Sequence, residues 1–147
     1  MSEPREARET LTLEIITPSG TAYSANVESV TLPAVGGQIG VRPRHVPMLT
    51  RIEPGEILLR RGGTDSPDEV LAVGEGLVAI TGDRVAIVTD MAIAAKDIDE
   101  AQVEEARQRA LARLRDKISD EEVATVNASL ARALAQLQVK KRRRSGS

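Results

Sequence analysis

An α+β fold, with an N-terminal antiparallel β-sandwich followed by a C-terminal antiparallel helical hairpin, is what this sequence predicts. Three observations carry that reading. Residues 10–95 are short apolar runs in alternating pattern, cut by Gly, Pro and Asp. Near Lys96 the grammar changes to long stretches with no Gly or Pro. The chain has 147 residues, enough for one ordinary domain or a small domain with an appendage.

The elements follow in order. Residues 1–9 are polar and carry both signs of charge, and read as a flexible N-terminal tail; they resemble neither a signal peptide nor a transit peptide. In "LTLEIITPSG" Leu11, Leu13 and Ile15 share one face before a Pro-Ser-Gly turn. "ANVESVTLPAVGG" repeats the alternation through Val27, Val30 and Leu32, and closes at Gly36-Gly37. The runs "GEILLRRGG", "DEVLAVGEG" and "GLVAITGDRVAIVTD" continue it, with Gly82-Asp83 as a hairpin turn. Strands joined by turns, with no helix between them, indicate a sandwich or barrel.

From Lys96 the chain is rich in helix formers. Asp97 with Glu100 reads as a capping box opening the first helix, and Val103, Ala106, Ala110 and Leu114 recur at helical spacing. Ser119 with Glu122 forms a second box. Beyond it Val126, Leu130, Leu134 and Leu137 line one face, next to a small-residue stripe of Ala124, Ala128, Ala131 and Ala135 that allows close helix-to-helix approach. The predicted division is a sandwich over 10–95, a helical hairpin over 96–140 and a flexible basic tail over 141–147.

Composition narrows the function classes. Phe, Trp and Cys are absent and Tyr23 is the one aromatic residue. The core is therefore aliphatic, no aromatic platform exists for stacking bases, and thiolate metal sites and cysteine nucleophiles are excluded. No apolar run approaches the roughly 18 residues of a membrane helix. Residues 1–95 hold 8 basic and 13 acidic side chains, a charge of −5; residues 96–144 hold 12 and 9, a charge of +3. The basic end suggests an anionic partner there.

Few motifs point to chemistry. "GEGLVA" (74–79) matches a dinucleotide fingerprint, but a strand-like run follows where that motif needs a helix. His45 has no second His or Cys to build a metal site or triad around it. Asp97, Asp99 and Glu100 lack the rest of a calcium loop. No catalytic constellation and no metal site emerge. What stands out is "GGQIGVRPRHVPMLTRIEPGE" (36–56), in which Pro43 and Pro47 stiffen the backbone on both sides of the single histidine.

That stretch resembles the signature of the epsilon subunits of F-type ATP synthases, through Gly37, Ile39, Gly40, Val41, Pro43, His45, Pro47 and Leu49, with a later Pro54-Gly55 turn. "VGEGLVAITGDRVAIVTDMAIAAKDID" is similar to the family's run into its first helix, and the resemblance covers residues 10 to about 140. Arg42 departs from it, since the family has an apolar or aromatic residue there. The resemblance implies a non-catalytic rotor subunit of the central stalk, held peripherally at the cytoplasmic face of the bacterial plasma membrane through its complex. Gly37, Gln38, Gly40, Pro43, His45 and Pro47 would then face the gamma subunit and the c-ring. The hairpin, a mobile inhibitor of ATP hydrolysis in the family, would meet the alpha and beta subunits through Arg107, Arg109, Arg113, Arg115 and Arg132.

Some members of the family bind ATP between the helices and the sandwich. Ile98, Asp99, Arg109 and Arg132 match that pattern here, while Gln102 and Gln136 replace two arginines and Ile93 a glutamate. Losing two charged forks weakens binding by roughly a hundredfold or more, so ATP is expected to bind weakly or not at all, and no other cofactor is implied. Two other classes stay open: a small nucleic-acid-binding module using the basic tail, and a hydrolase centred on His45. The acidic sandwich without aromatics argues against the first.

Overall fold

The computed structural model describes residues 9–62 and 67–145, with the side chains of 143–145 left aside. Most of the expected N-terminal tail, residues 1–8, and the last two residues of the expected basic tail lie outside the described residues.

The strands are β1 (Leu11–Thr17), β2 (Gly20–Val27), β3 (Ser29–Ala34), β4 (Gly37–Val41), β5 (His45–Ile52), β6 (Gly55–Arg60), β7 (Glu69–Val73), β8 (Gly76–Gly82), β9 (Arg84–Thr89) and β10 (Ala92–Ala94). They pair in the order β10-β7-β6-β3-β5-β8-β9-β1-β2, with β4 pairing β3 beside this path. The ladders are antiparallel, as expected, except that β1 runs parallel to β9. Alternation along the strands sends Leu11, Leu13 and Ile15 of β1, Ile57 and Leu59 of β6, and Val85 and Ile87 of β9 into one aliphatic core. Gly82, with φ 54°, turns β8 into β9 and places Thr81 opposite Arg84.

The glycines of "GEGLVA" serve packing, and β8 follows them. A Cβ on Gly76 would meet the Val88 carbonyl oxygen at 2.0 Å, and one on Gly74 would meet Asp90 Oδ1 at 1.8 Å.

A 3-10 turn (Ala95–Asp97) leads into α1 (Glu100–Leu114), and α2 covers Asp120–Ser145. Two expectations are corrected here. Asp99, not Asp97, caps α1, accepting the Gln102 backbone N–H at 3.2 Å. Asp97 is taken up by the 3-10 turn, so the helix starts later. Helix α2 continues to Ser145, past the end expected near 140. Lys and Arg are good helix formers, and cations suit a helix C-terminus, so the basic run extends the helix. At the other end Ser119 Oγ accepts the Glu122 N–H at 3.2 Å, as its spacing predicts.

Helix α2 packs on α1 and on the outer face of β6 and β7. The contact with the sheet is small: Ala72, Ala95, Ile98 and Val139 form a separate buried cluster, with Val70, Met91, Ile93 and Val103 beside it. The face that Val126, Leu130, Leu134 and Leu137 line is not the contact face with the sheet, since Leu134 is 48% exposed. Ala135, Val139 and Arg142 lie within about 60° of one another at 100° per residue. The small-residue stripe thus continues into the surface that meets the sandwich, because small side chains let a helix approach a sheet as closely as another helix.

Candidate functional site

Three surfaces carry the candidate residues. The first is the Gly/Pro/His segment. Gly36 and Gly37 adopt φ 93° and 136°, which few other residues reach, and turn β3 into β4. Gly37, Gln38 and Gly40 are exposed along β4, which pairs with β3 through Leu32↔Ile39 and Thr31↔Gly40. A Cβ on Gly40 would meet nothing within 4 Å, and its φ is not positive. Internal packing gives no reason for glycine there; the close approach of another chain would.

Pro43 is half-buried in the turn between β4 and β5. Beside it Arg44 adopts φ 65°, donates its N–H to Asp83 Oδ1 at 3.3 Å and places its guanidinium 3.1 Å from Glu9. His45 is half-buried with Nδ1 2.7 Å from its neighbour's carbonyl, that of Val46, so the ring is tied to local backbone. The β5–β8 register shifts between His45 and Met48, and Pro47 sits in this irregularity, where its missing N–H interrupts no regular ladder. The segment is a shaped, stiff surface, better suited to contact than to proton transfer.

The second surface adjoins it and was missed from sequence. On the outer face of β5, β8 and β9, Leu49 lies opposite Ala79 and Leu77 opposite Val88. Leu49, Leu77 and Val88 are 74%, 52% and 56% exposed. The signal was present in the uninterrupted runs "LVAI" (77–80) and "VAIV" (85–88): strands apolar on both faces need a cover on both. A patch of this kind marks an interaction site.

The third is a groove of about 500 Å³ between α1 and α2, lined by Gln102, Glu105, Arg109, Ser129, Arg132 and Gln136 among others. It brings together two of the four residues proposed for nucleotide and both glutamines that replace arginines. Ile98 is instead buried against the sheet, and Asp99 is engaged as the helix cap. Arg132 is already divided between Asp90 Oδ2 and Ser129 Oγ, each at 3.1 Å. Glu105 adds a negative charge where an anion would lie.

The α1 arginines do not form one face, since Arg107 and Arg109 project about 160° apart. Arg107 pairs with Glu104 at 2.6 Å, and Glu104 is held below the usual carboxylate range by the Gln108 amide and then by Arg107. Arg113 bridges to Glu122 at 2.5 Å and to Asp116 at 3.6 Å, and the Glu122 hydrogen bond raises its pKa further. Arg109 and Arg115 are exposed. In this docked arrangement Arg107, Arg113 and Arg132 are engaged within the chain. Among the described residues no group of three or more His, Cys, Asp or Glu is placed to hold a metal ion, and no helix is long and apolar enough to cross a membrane.

Comparison with known proteins agrees with this layout. Residues 10–95 match the family described as ATP synthase, Delta/Epsilon chain, beta-sandwich domain, and residues 96–141 match its long alpha-helix domain. An ATP synthase epsilon chain of Herpetosiphon aurantiacus is 38% identical over 133 residues, 90% of this chain and 96% of the relative. One from Halorhodospira halophila is 36% identical over 129 residues, 88% and 91% of the two chains. Among solved structures, a chain of the Euglena gracilis mitochondrial ATP synthase shares the fold with a TM-score of 0.63 at 16% identity, covering 99% of this chain and 84% of its own. A chain of the Tetrahymena thermophila mitochondrial ATP synthase central stalk and c-ring also reaches 0.63, at 12% identity, covering 90% and 98%. With both halves matched in order and relatives aligned nearly end to end, the chain belongs to the ATP synthase delta/epsilon chain family.

Proposed function

We propose that the chain is a non-catalytic central-stalk subunit of a bacterial F-type ATP synthase that couples the gamma subunit to the c-ring and restrains ATP hydrolysis through its helical hairpin. The observation that carries this reading is the division of labour in the fold. A sandwich with its own core offers two contact surfaces, while the hairpin lies on it through a small buried cluster. The glycine edge of β4 and the stretch from Pro43 to Pro47, the β4–β5 turn and the start of β5, suit the c-ring loops, and the apolar face around Leu77 and Val88 suits gamma. The subunit is then peripheral at the cytoplasmic face of the plasma membrane, reached through its complex, and nucleic acid has no part in the assignment.

The inhibitory contact uses Arg107, Arg109, Arg113, Arg115 and Arg132 against the alpha and beta subunits. Arg132 must exchange Asp90 of the sandwich for an external carboxylate, so inhibition and docking compete for that cation, while Arg107 and Arg113 are paired within the hairpin itself. ATP in the groove between the helices binds weakly or not at all, because Gln102 and Gln136 supply no charge and Glu105 opposes it.

Reconstitution with the remaining subunits tests the reading. A chain ending after Ala95 should retain the complex and raise its hydrolysis rate. Loss of the complex would overturn the division of labour, and an unchanged rate would overturn the inhibitory role.

A further inference from the structure

Strand β6 alternates as the sandwich requires, with Ile57 and Leu59 in the core and Glu56 and Leu58 on the outer face beneath α2. Glu56 is 5% exposed, and a buried carboxylate is costly unless a cation and hydrogen bonds satisfy it. Arg142, 86 residues later in the last turns of α2, supplies both. Its Nε lies 2.9 and 2.8 Å from the two carboxylate oxygens, and its Nη2 lies 2.6 Å from Oε1. This is a forked, charge-assisted grip, the strong form of such a contact.

We propose that Glu56 is a receptor site for a C-terminal arginine latch, which acts beside the apolar cluster around Val139 to hold the hairpin on the sandwich. Other contacts act beside it. Along α2 the surface turned to the sheet is built of alanines, and Val139 is its one large side chain with no exposure. The Arg132–Asp90 pair lies ten residues earlier and about 15 Å up the helix. Its arginine side chain is 33% exposed against 45% for Arg142, but its aspartate side chain is 38% exposed where that of Glu56 is 6%, and the exposed carboxylate makes it the weaker pair. Lys140 adds a hydrogen bond to the Ala95 carbonyl at 3.3 Å. A helix of 26 residues is thus pinned near its end, and loss of Arg142 would loosen its hold on the sandwich.

The latch gives the hairpin reading above its regulatory contact and rests on that reading for its consequence, though its presence is testable alone. Hydrogen exchange on the isolated full chain is the measurement. Arg142→Ala should speed exchange of the α2 amides about tenfold or more, equivalent to about 1.4 kcal/mol, and leave the core strands unchanged. Glu56→Gln should act in the same direction. The pair Glu56→Leu with Arg142→Leu should recover protection relative to Arg142→Ala, because no buried charge is then left alone. Lys117→Ala, in the exposed inter-helix turn, should change nothing.

Unchanged exchange in Arg142→Ala would overturn the latch, as would a double variant no better protected than the single one. If exchange responds as expected while the assembled enzyme hydrolyses ATP at its original rate, the latch stands and the inhibitory role falls. If the rate responds to removal of the hairpin but exchange ignores Arg142, the reverse holds.

Discussion

The sandwich and the hairpin bury their side chains by opposite means. In the sandwich sixteen aliphatic residues form one core, none of them more than 2% exposed. In the hairpin Ala110 is the one buried residue of α1, and α2 meets the sheet through alanines, Val139 and charged side chains. Non-directional burial fixes the first; the second is held by a small apolar cluster together with directional contacts that fail when one partner leaves. The proposed switch, in which the sandwich stays folded while the hairpin leaves it, would need this contrast. A switch built on a large apolar face would expose that face whenever it opened.

The sharpest way to break the comparison is to cut into the sandwich. Leu13→Ala removes a fully buried side chain at the centre of β1 and should cost about 2–5 kcal/mol, much of the stability of a domain of this size. Urea denaturation followed by circular dichroism should show the midpoint fall sharply. A loss below about 1 kcal/mol would mean that the core is not the cooperative unit.

Next in size is Val139→Ala. Removing two buried carbons should weaken docking by roughly 1.5–2 kcal/mol at about 0.8 kcal/mol each. The effect should be confined to the hairpin: proteolysis of α2 should quicken while the urea midpoint of the sandwich holds. A parallel loss in both would show that hairpin and sandwich melt together.

The same contrast decides what could be read from sequence. Most strands are legible because alternation and turn glycines are local, as with Leu11, Leu13 and Ile15 before the Pro-Ser-Gly turn; β4 and β5 are not. The second helix cap at Ser119 was legible for the same reason. The hairpin's contacts were not. Nothing within α2 says that Ala135, Val139 and Arg142 meet the sheet while Leu134 stays out, since that depends on Glu56 and Ala72 far away in the chain. The cap at Asp99 was obscured by a second aspartate two residues earlier. Of the candidate site, the Gly/Pro/His segment reads from its glycines and prolines as a stiff loop, but most of it forms β4 and β5, because the glycines fall at the β3–β4 turn and along an edge strand and Pro47 falls at an irregular register. The groove brought together Arg109 and Arg132. The apolar face at Leu77 and Val88 was overlooked because alternation was used only to assign inward positions.

A smaller effect is expected from Ser119→Ala. The lost cap should cost about 1 kcal/mol, felt in the first turn of α2, which is exposed and far from the latch. Hydrogen exchange should rise at residues 120–124 and nowhere in the sandwich. Exchange that rises along the whole of α2 would make the inter-helix turn, and not the far end of the helix, the point that holds the hairpin.

The smallest effect is silent at neutral pH and reports on the sandwich alone. Tyr23 on β2 donates its hydroxyl to Glu69 Oε2 on β7 at 3.0 Å, joining two strands distant in the pairing order. Burial first, then the hydrogen bond and charge of Glu69, push its pKa from 10.0 up to about 12, with Arg61 opposing. The sign follows from linkage. Below pH 10 the phenol is protonated in both folded and unfolded chains, and its contribution is fully present. Between pH 10 and about 12 the unfolded chain releases the proton and the folded chain keeps it, so stability is lost as pH rises. The ring is half-exposed, which keeps the energy small. With no tryptophan and a single tyrosine, near-ultraviolet absorbance follows this one group. The folded chain should titrate near pH 12 and the denatured chain near 10, and Glu69→Gln should bring the folded midpoint part of the way down, since burial remains. A folded midpoint already at 10 would mean that the contact between β2 and β7 is open in solution, and that the sandwich is looser there than its core implies.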